Sequence, residues 1–175
     1  MTCLRPAAPA DVPLLLALVR ELAEYEREPE AAVATEAQFA DALFGARAVA
    51  EAVVAEIDGA PAGFALCFHN FSTWTGRRGL YLEDLFVRPA YRGRGVGRAL
   101  LAHLAGVAVA RGCGRFEWSV LDWNAPAIAF YQALGARPMD GWTTMRVDGD
   151  ALARLAAGGV TPPAAPGAPS GASAS

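Results

Sequence analysis

Two neighbouring stretches carry residue types that suit phosphate binding and acid–base chemistry. Residues 91–97 read Tyr-Arg-Gly-Arg-Gly-Val-Gly, so glycines alternate with longer side chains. Alternate glycines leave space beside the backbone for a ligand and allow positive φ. A helix that begins at Gly95 or Val96 directs its free N–H groups and its positive dipole end into this turn. The stretch therefore predicts a phosphate or pyrophosphate site, to which the arginines of the turn add charge-assisted donors.

The glycine spacing leaves a second interpretation open, which is an ordinary strand-to-helix connection with its arginines in solvent. No Gly-Lys-Ser/Thr follows the turn, so it is not a Walker A loop. The chain also lacks a GxGxxG and an early βαβ unit, which argues against a dinucleotide-binding fold.

Glu83 and Asp84 are adjacent carboxylates inside the apolar run LYLEDLFV at residues 80–87. Because side chains alternate between the two faces of a strand, we expect these acids on opposite faces, one of them among large apolar residues. Burial raises the pKa of a carboxyl by disfavouring its charged form. One interpretation is a general base beside an anion-binding turn. The other is a strand end where both acids reach water or pair with an arginine.

Composition limits the classes of protein and partner. The chain has 175 residues, of which 54% are apolar and 19% charged, and this fits one folded domain. A net charge of −3 gives no general attraction to nucleic acid or to an anionic membrane, so we expect neither as a partner. Three isolated cysteines favour a reducing cytoplasm over a disulfide framework or a zinc site. His69 and His103 have no ligand-spaced partner, so we assign no metal.

The end of the first predicted helix is acidic, with glutamates at positions 21, 24, 26, 28 and 30 and Tyr25 among them. A solvated helix end explains this pattern. A surface that attracts a cationic substrate explains it equally, because charges of one sign concentrate counter-ions.

Hydrophobic periodicity and turn residues predict the elements that hold these stretches. The predicted helices are one after Asp11, Thr35–Phe44, one from Gly95 or Val96, one from Asn124 to Gly135, and Asp150–Leu155. The predicted strands are Thr2–Arg5, Ala48–Ile57, Ala62–Phe68, the central run to Val87, Arg115–Leu121 and Thr143–Val147, with residues 70–79 as a loop or strand end. This order predicts an α/β fold with a mixed, mostly antiparallel twisted sheet flanked by helices. We expect a single domain over residues 1–157 and a disordered Pro/Ala/Gly/Ser-rich tail over residues 158–175.

Two segments, YLEDLFVRPAYRGRGVGRALL and VLDWNAPAIAFYQALGA, resemble the signature regions of the general N-acetyltransferase (GNAT) superfamily. The order of RELAEYE, FSTW, YLED, VLDWN, FYQALGA and GW is similar to the diamine (spermidine/spermine) and thialysine acetyltransferase subfamily. The likeness covers about residues 2–156. It implies the GNAT fold and acetyl-CoA as co-substrate.

The resemblance also implies roles for individual residues. Tyr131 matches the phenol that protonates the departing thiolate, and Glu83 matches the base that deprotonates the amine. The cofactor-binding positions would be Leu85, Phe86, Val87, Arg92, Gly93, Arg94, Gly95, Val96, Gly97, Arg98, Asn124, Ala125, Pro126 and Ala127. The substrate-binding positions would be Tyr25, Glu26, Ser72, Trp74, Asp84 and Asp140. The loop of residues 136–142 is shorter than in the animal proteins, which makes Asp140 the weakest of these transfers.

The expected activity is acetyl transfer from acetyl-CoA to the primary amine of a small molecule, by direct attack on the thioester. Thialysine-like or lysine-like amino acids, diamines and polyamines are the substrate classes implied by the resemblance. The alternative is a non-catalytic acyl-CoA-binding or sensing module on the same fold. The family likeness further implies a homodimer.

Overall fold

In the computed structural model of the chain, residues 1–158 are described and fall into two compact units, divided after Asn124. The predicted tail lies, apart from Gly158, outside the described residues. Across residues 1–158, no helix is long and apolar enough to cross a bilayer.

The first unit is built on a five-stranded sheet in sequential order. Strands β1 to β4 pair antiparallel, and β5 joins β4 in parallel, so the sheet is mixed and mostly antiparallel as expected. The strands are β1 (Thr2–Pro6), β2 (Glu51–Ile57), β3 (Ala60–Ser72), β4 (Arg77–Val87) and β5 (Phe116–Trp118).

Three helices belong to this unit, namely α1 (Val12–Tyr25), α2 (Glu36–Phe44) and α3 (Val96–Ala110). Thr35 caps α2 as predicted. Its hydroxyl oxygen accepts a hydrogen bond from the backbone N–H of Gln38, and the side-chain oxygen of Gln38 accepts one from the backbone N–H of Thr35. The start of α3 at Val96 confirms the helix predicted at the glycine turn.

Helices cover both faces of the sheet. On one face, leucines of α1 and α2 form a core with side chains of β2, β3 and β4, among them Leu18, Val54, Phe64 and Phe86. On the other face lies α3, where Arg111 at its end bonds both Glu51 of β2 and His69 of β3. The residues between the end of β4 and Val96 therefore lead the chain from the sheet to the face that α3 covers.

A bulge interrupts β4 beside the expected site. Leu66 of β3 pairs with Asp84, whereas the next residue, Cys67, pairs with Leu82, so Glu83 is an extra residue without a cross-strand partner. Cross-strand partners share a face, and Leu66 and Cys67 point to opposite faces. Asp84 therefore lies on the α1 face and Leu82 on the α3 face. Simple alternation of side chains therefore does not hold between Leu82 and Asp84.

The hairpin between β3 and β4 corrects another expectation. Residues 70–79 were expected as a loop or strand end, but pairing continues to Ser72↔Arg77, leaving only residues 73–76 as the turn. The strand expected over Arg115–Leu121 is shorter, because β5 keeps only Phe116–Trp118. Strand length here is decided by available pairing partners and not by local propensity.

The second unit contains α4 (Ala125–Ala133) and α5 (Gly149–Ala157). The helix predicted up to Gly135 is confirmed, since the Gly135 amide closes the last turn on Gln132 and Gly135 has a φ of 92°. The strand predicted over Thr143–Val147 is wrong, because the structure gives these residues no strand and leaves all of them exposed. Their β-branched side chains satisfy a local preference, but a strand also requires a pairing partner.

Candidate active site

The glycine-rich turn has the backbone that anion binding requires. Gly93 and Gly95 have φ values of 72° and 81°, a region that other residues rarely adopt. A Cβ at either position would meet nothing within 4 Å, so the dihedral angle and not crowding requires glycine. The N-cap residue of α3 is Gly95, which has no side chain to occupy the first N–H groups of the helix. Its first N–H groups and the exposed Arg94 and Arg98 therefore suit a diphosphate.

The strand in front of the turn has an edge that suits a ligand with amide groups. The pairing register between β4 and β5 ends at Leu82↔Trp118, while β4 continues to pair with β3 as far as Val87. Within residues 1–124, the register therefore gives Leu85–Val87 no strand partner on the β5 side. Backbone groups along such an edge can bind an extended polar chain as an added strand would.

Three carboxyl groups meet where α1 ends beside the bulge. Asp84 lies on the α1 face, with Glu83 next to it and Glu26 at the end of α1. Burial, followed by the charges of Glu83 and Glu26, raises the pKa of Asp84 from its ordinary 3.8 to about 6. Burial also raises the pKa of Glu26. Glu83 is exposed and Asp84 is half-buried, so Asp84 is the acid of the adjacent pair that lies among apolar residues.

A cleft of about 330 Å³ separates the end of α1 from the end of β4 and the turn. Tyr25 and Arg92 both line this cleft and contact each other, with the guanidinium carbon 4.6 Å from the centre of the tyrosine ring. The Tyr25 hydroxyl donates a hydrogen bond of 3.1 Å to Oδ1 of Asn124, which is buried. The structure thus brings together the predicted residues Tyr25, Arg92 and Asn124.

A positioning pair at this cleft was missed from the sequence. Arg88 donates to both carboxylate oxygens of Glu21, through Nε at 2.9 Å and Nη2 at 2.6 Å, and to the carbonyl of Pro61 at 2.9 Å. This bidentate pair ties the last turns of α1 to the end of β4. The sequence offered one signal for this pair: Glu21 and Tyr25 are four residues apart, which places both on one face of α1.

Other predicted residues lie elsewhere. Ser72 ends β3 and Trp74, 86% exposed, lies in the hairpin turn. Ser72 is six residues beyond Leu66, the partner of Asp84, which corresponds to about 20 Å of extended strand. Tyr131 is half-buried in α4, where Ala125, Pro126 and Ala127 form the first turn, and Asp140 is exposed between α4 and α5. Their roles stay predictions.

Comparison with known proteins gives this arrangement a family. The model of the acetyltransferase (GNAT) family matches residues 15–136, a stretch that includes the bulge, the turn and Tyr131. Thialysine N-epsilon-acetyltransferase of Sus scrofa is 40% identical over 165 residues, which are 87% of this chain and 96% of that protein. L-ornithine N5-acetyltransferase NATA1 of Arabidopsis thaliana is 33% identical, with 85% of each chain covered.

A solved structure gives the same fold. An integron cassette protein from the mobile metagenome of V. cholerae is similar with a TM-score of 0.75 and 27% identity, over 89% of this chain and 97% of that one. Both named relatives are acetyltransferases, so an acyl-transferring enzyme is supported and a non-catalytic binding module is not. With a family match and full-length relatives of this identity, the chain belongs to the acetyltransferase (GNAT) family.

Proposed function

We propose that this enzyme transfers the acetyl group of acetyl-CoA to a primary amine of a small cationic molecule. Its acceptors would be thialysine-like or lysine-like amino acids, diamines or polyamines. The observation that carries this proposal is the group of Glu26, Glu83 and Asp84 next to a turn suited to diphosphate. A cationic amine is attracted by the first feature and an anionic cofactor by the second. The relatives that act on thialysine and ornithine support the substrate class.

The carboxyl groups supply the proton acceptor that this reaction needs. An alkyl ammonium has a pKa near ~10.4, so it must lose a proton before its nitrogen can attack the thioester carbon. Glu83 would accept that proton, directly or through water, and the ionised Asp84 would hold the substrate cation beside it. Glu83 would release this first proton to water and would then accept the second amine proton as the carbon–nitrogen bond forms and the carbon–sulfur bond breaks.

The backbone and a phenol would serve the other half of the reaction. N–H groups of Leu85–Val87 would bind the pantetheine arm and stabilise the oxyanion, with a typical contribution of about 2.7–4 kcal/mol for each donor. The turn from Arg92 to Arg98 would hold the diphosphate. Tyr131 would donate the proton that the departing CoA thiolate takes up, since a phenol with a pKa near ~10 is a competent acid for a thiolate.

A thiol-release assay with the full chain tests the activity. Acetyl-CoA is offered with thialysine, lysine, ornithine, spermidine and putrescine, and with alanine as an amino acid that lacks a second amine. We expect CoA release with the diamines and diamino acids and little with alanine. Calorimetric CoA binding without release on any amine would favour the non-catalytic alternative, and absence of both would reject the proposal.

We also propose a homodimer in a reducing cytoplasm. The subfamily likeness implies that Ser72 and Trp74 contact substrate. Within one chain, about 20 Å of strand separates Ser72 from the position of Asp84. In a dimer, Ser72 and Trp74 of one copy would reach the acids of the second copy more easily. The three free cysteines support a reducing compartment. Light scattering at micromolar concentration is expected to give twice the chain mass, and a monomer at every concentration would reject the dimer.

A further inference from the structure

A column of stacked side chains runs from the end of α1 to the glycine-rich turn, and we call Arg27, Trp123, Tyr25 and Arg92 the Tyr25 column. The Arg27 guanidinium lies 4.5 Å from the Trp123 ring, and the Trp123 and Tyr25 rings are 6.2 Å apart. The Arg92 guanidinium covers Tyr25 at 4.6 Å. A planar guanidinium on an aromatic face is an attractive contact, so Tyr25 has neighbours on both sides.

Arg92 is held in place from a second direction. Its Nε donates to the carbonyl oxygen of Val87 at 2.9 Å, and its guanidinium carbon lies 5.8 Å from the Phe86 ring. The bond to Val87 uses only Nε of the five donors of an arginine, so the Nη groups can serve a diphosphate. The orientation of these groups depends on the surface against which the guanidinium plane rests, and that surface is Tyr25.

The polar end of Tyr25 reaches a different cofactor position. Its hydroxyl donates to Oδ1 of Asn124, which is only 6% exposed and immediately precedes the first helical turn of residues 125–127. One side chain thus contacts both stretches that the family likeness assigns to acetyl-CoA. The hydroxyl and the ring face next to Arg92 are therefore both engaged inside the protein, while Tyr25 as a whole stays 36% exposed.

We propose that Tyr25 is a positioning residue that orients Arg92 and Asn124 for acetyl-CoA. This inference rests on the proposed function, since it places the diphosphate of acetyl-CoA in the glycine-rich turn.

Direct binding of CoA, without any turnover, is the first measurement. Tyr25→Leu removes the stack and the hydrogen bond and is expected to raise the Kd for CoA about three- to tenfold. Tyr25→Phe keeps the stack and should raise it about twofold. Phe44→Leu is the matched control. Phe44 is the last residue of α2 and is 37% exposed, just as Tyr25 is the last residue of α1 and is 36% exposed. An unchanged Kd in Tyr25→Leu overturns the inference, whereas a wild-type chain that binds no CoA overturns the proposed function instead.

Steady-state kinetics separate a positioning role from a substrate contact. In Tyr25→Leu we expect the KM for acetyl-CoA to rise, while the KM for the amine at saturating acetyl-CoA stays within about twofold of wild type. A rise in the amine KM alone would show that Tyr25 contacts the acceptor and that the inference is wrong.

A double-mutant cycle tests whether Tyr25 acts through Arg92. If it does, Tyr25→Leu should add little to the loss of CoA affinity already caused by Arg92→Leu. Fully additive losses would mean that the two side chains act separately and would contradict the proposal. Should Tyr25→Leu not fold, Arg92→Lys carries the test, because lysine keeps the charge but loses the planar stack. An unchanged Kd for CoA in Arg92→Lys then overturns the inference.

Discussion

At the scale of residues, Glu83 and Asp84 show how one extra residue in a strand gives adjacent carboxyls different surroundings. The bulge leaves Glu83 unpaired and exposed, while Asp84 turns to the α1 face beside Leu66 and Phe86. The Asp84 pKa of about 6 reflects this burial first and the neighbouring acids second. A carboxyl whose pKa is raised by burial and by neighbouring acids is a common mark of a functional site.

The pH dependence of activity should follow Asp84. In the proposed mechanism its ionised form holds a cationic amine, so kcat/KM for the amine should fall as the pH drops through about 6, the pKa of this group in the free enzyme. Asp84→Asn should lower kcat/KM throughout and remove this acid limb. A pH–rate profile of both proteins checks this, and an acid limb at the same pH in Asp84→Asn would assign it to another group.

Ionisation of Asp84 should also lower the free energy of unfolding. Its folded pKa lies above the unfolded one, so between about pH 4 and pH 6 the unfolded chain releases a proton that the folded chain keeps, and stability falls as pH rises. Asp84→Asn should therefore be more stable than wild type at pH 7, by up to about 3 kcal/mol, and similar at pH 4. Urea unfolding at both pH values measures this difference. Asp41→Asn, at an exposed position in α2, is the control, and its stability difference from wild type should be the same at both pH values. A destabilised Asp84→Asn at pH 7 would contradict the burial argument.

Tyr131 gives a kinetic prediction for the leaving group. Tyr131→Phe should lower kcat about 10²- to 10⁴-fold, the usual range for loss of a general acid, with little change in the Kd for CoA. Single-turnover CoA release together with calorimetry separates the two quantities. Equal turnover in the variant would remove the acid role.

At the scale of elements, the close packing of β3 against β4 positions the end of β4, which leads into the glycine-rich turn. Gly63 pairs with Val87, and a Cβ there would lie 2.3 Å from the carbonyl oxygen of Phe86. No real Cβ contact is that short, so a larger residue would have to displace the end of β4. The position of Arg92 and the turn after Val87 depends on this packing.

Gly63→Ala should therefore destabilise the fold by about 1–3 kcal/mol, the usual cost of overpacking, and weaken CoA binding as well. Gly106→Ala is the matched substitution, because Gly106 lies in α3 with nothing within 4 Å of an added Cβ. It should stabilise the protein by roughly 0.5–1 kcal/mol, since alanine favours a helix. Denaturant midpoints compare the two, and equal effects of the two alanines would show that β4 can shift freely.

At the scale of the whole molecule, the buried residues that the structure describes all lie at or before Asn124. Composition predicts that the folded chain ends near residue 157, because proline, alanine, glycine and serine predominate after it. A chain that ends at Gly158 should therefore keep the wild-type Tm and kcat/KM. Thermal unfolding and the thiol-release assay test this boundary, and a loss in either would place a structural or catalytic role beyond residue 158.

The sequence by itself determined the class of fold, the family and the glycine-rich turn that leads into α3. These features depend on local patterns: glycines alternating before Val96, the caps of helices such as Thr35, and apolar residues at helical or strand spacing. Each pattern acts over a few residues, so it can be recognised without knowing which elements meet.

Only the tertiary structure decided which carboxyl is buried, what Tyr25 contacts, and where strands end. The bulge at Glu83, the pairing that carries β3 to Ser72 and the absence of a strand over Thr143–Val147 all depend on partners distant in the chain. The stack of Tyr25 on Arg92 joins residues 67 positions apart. Such contacts arise from the register of one strand against another and from helix packing, and no local preference of the chain encodes either one.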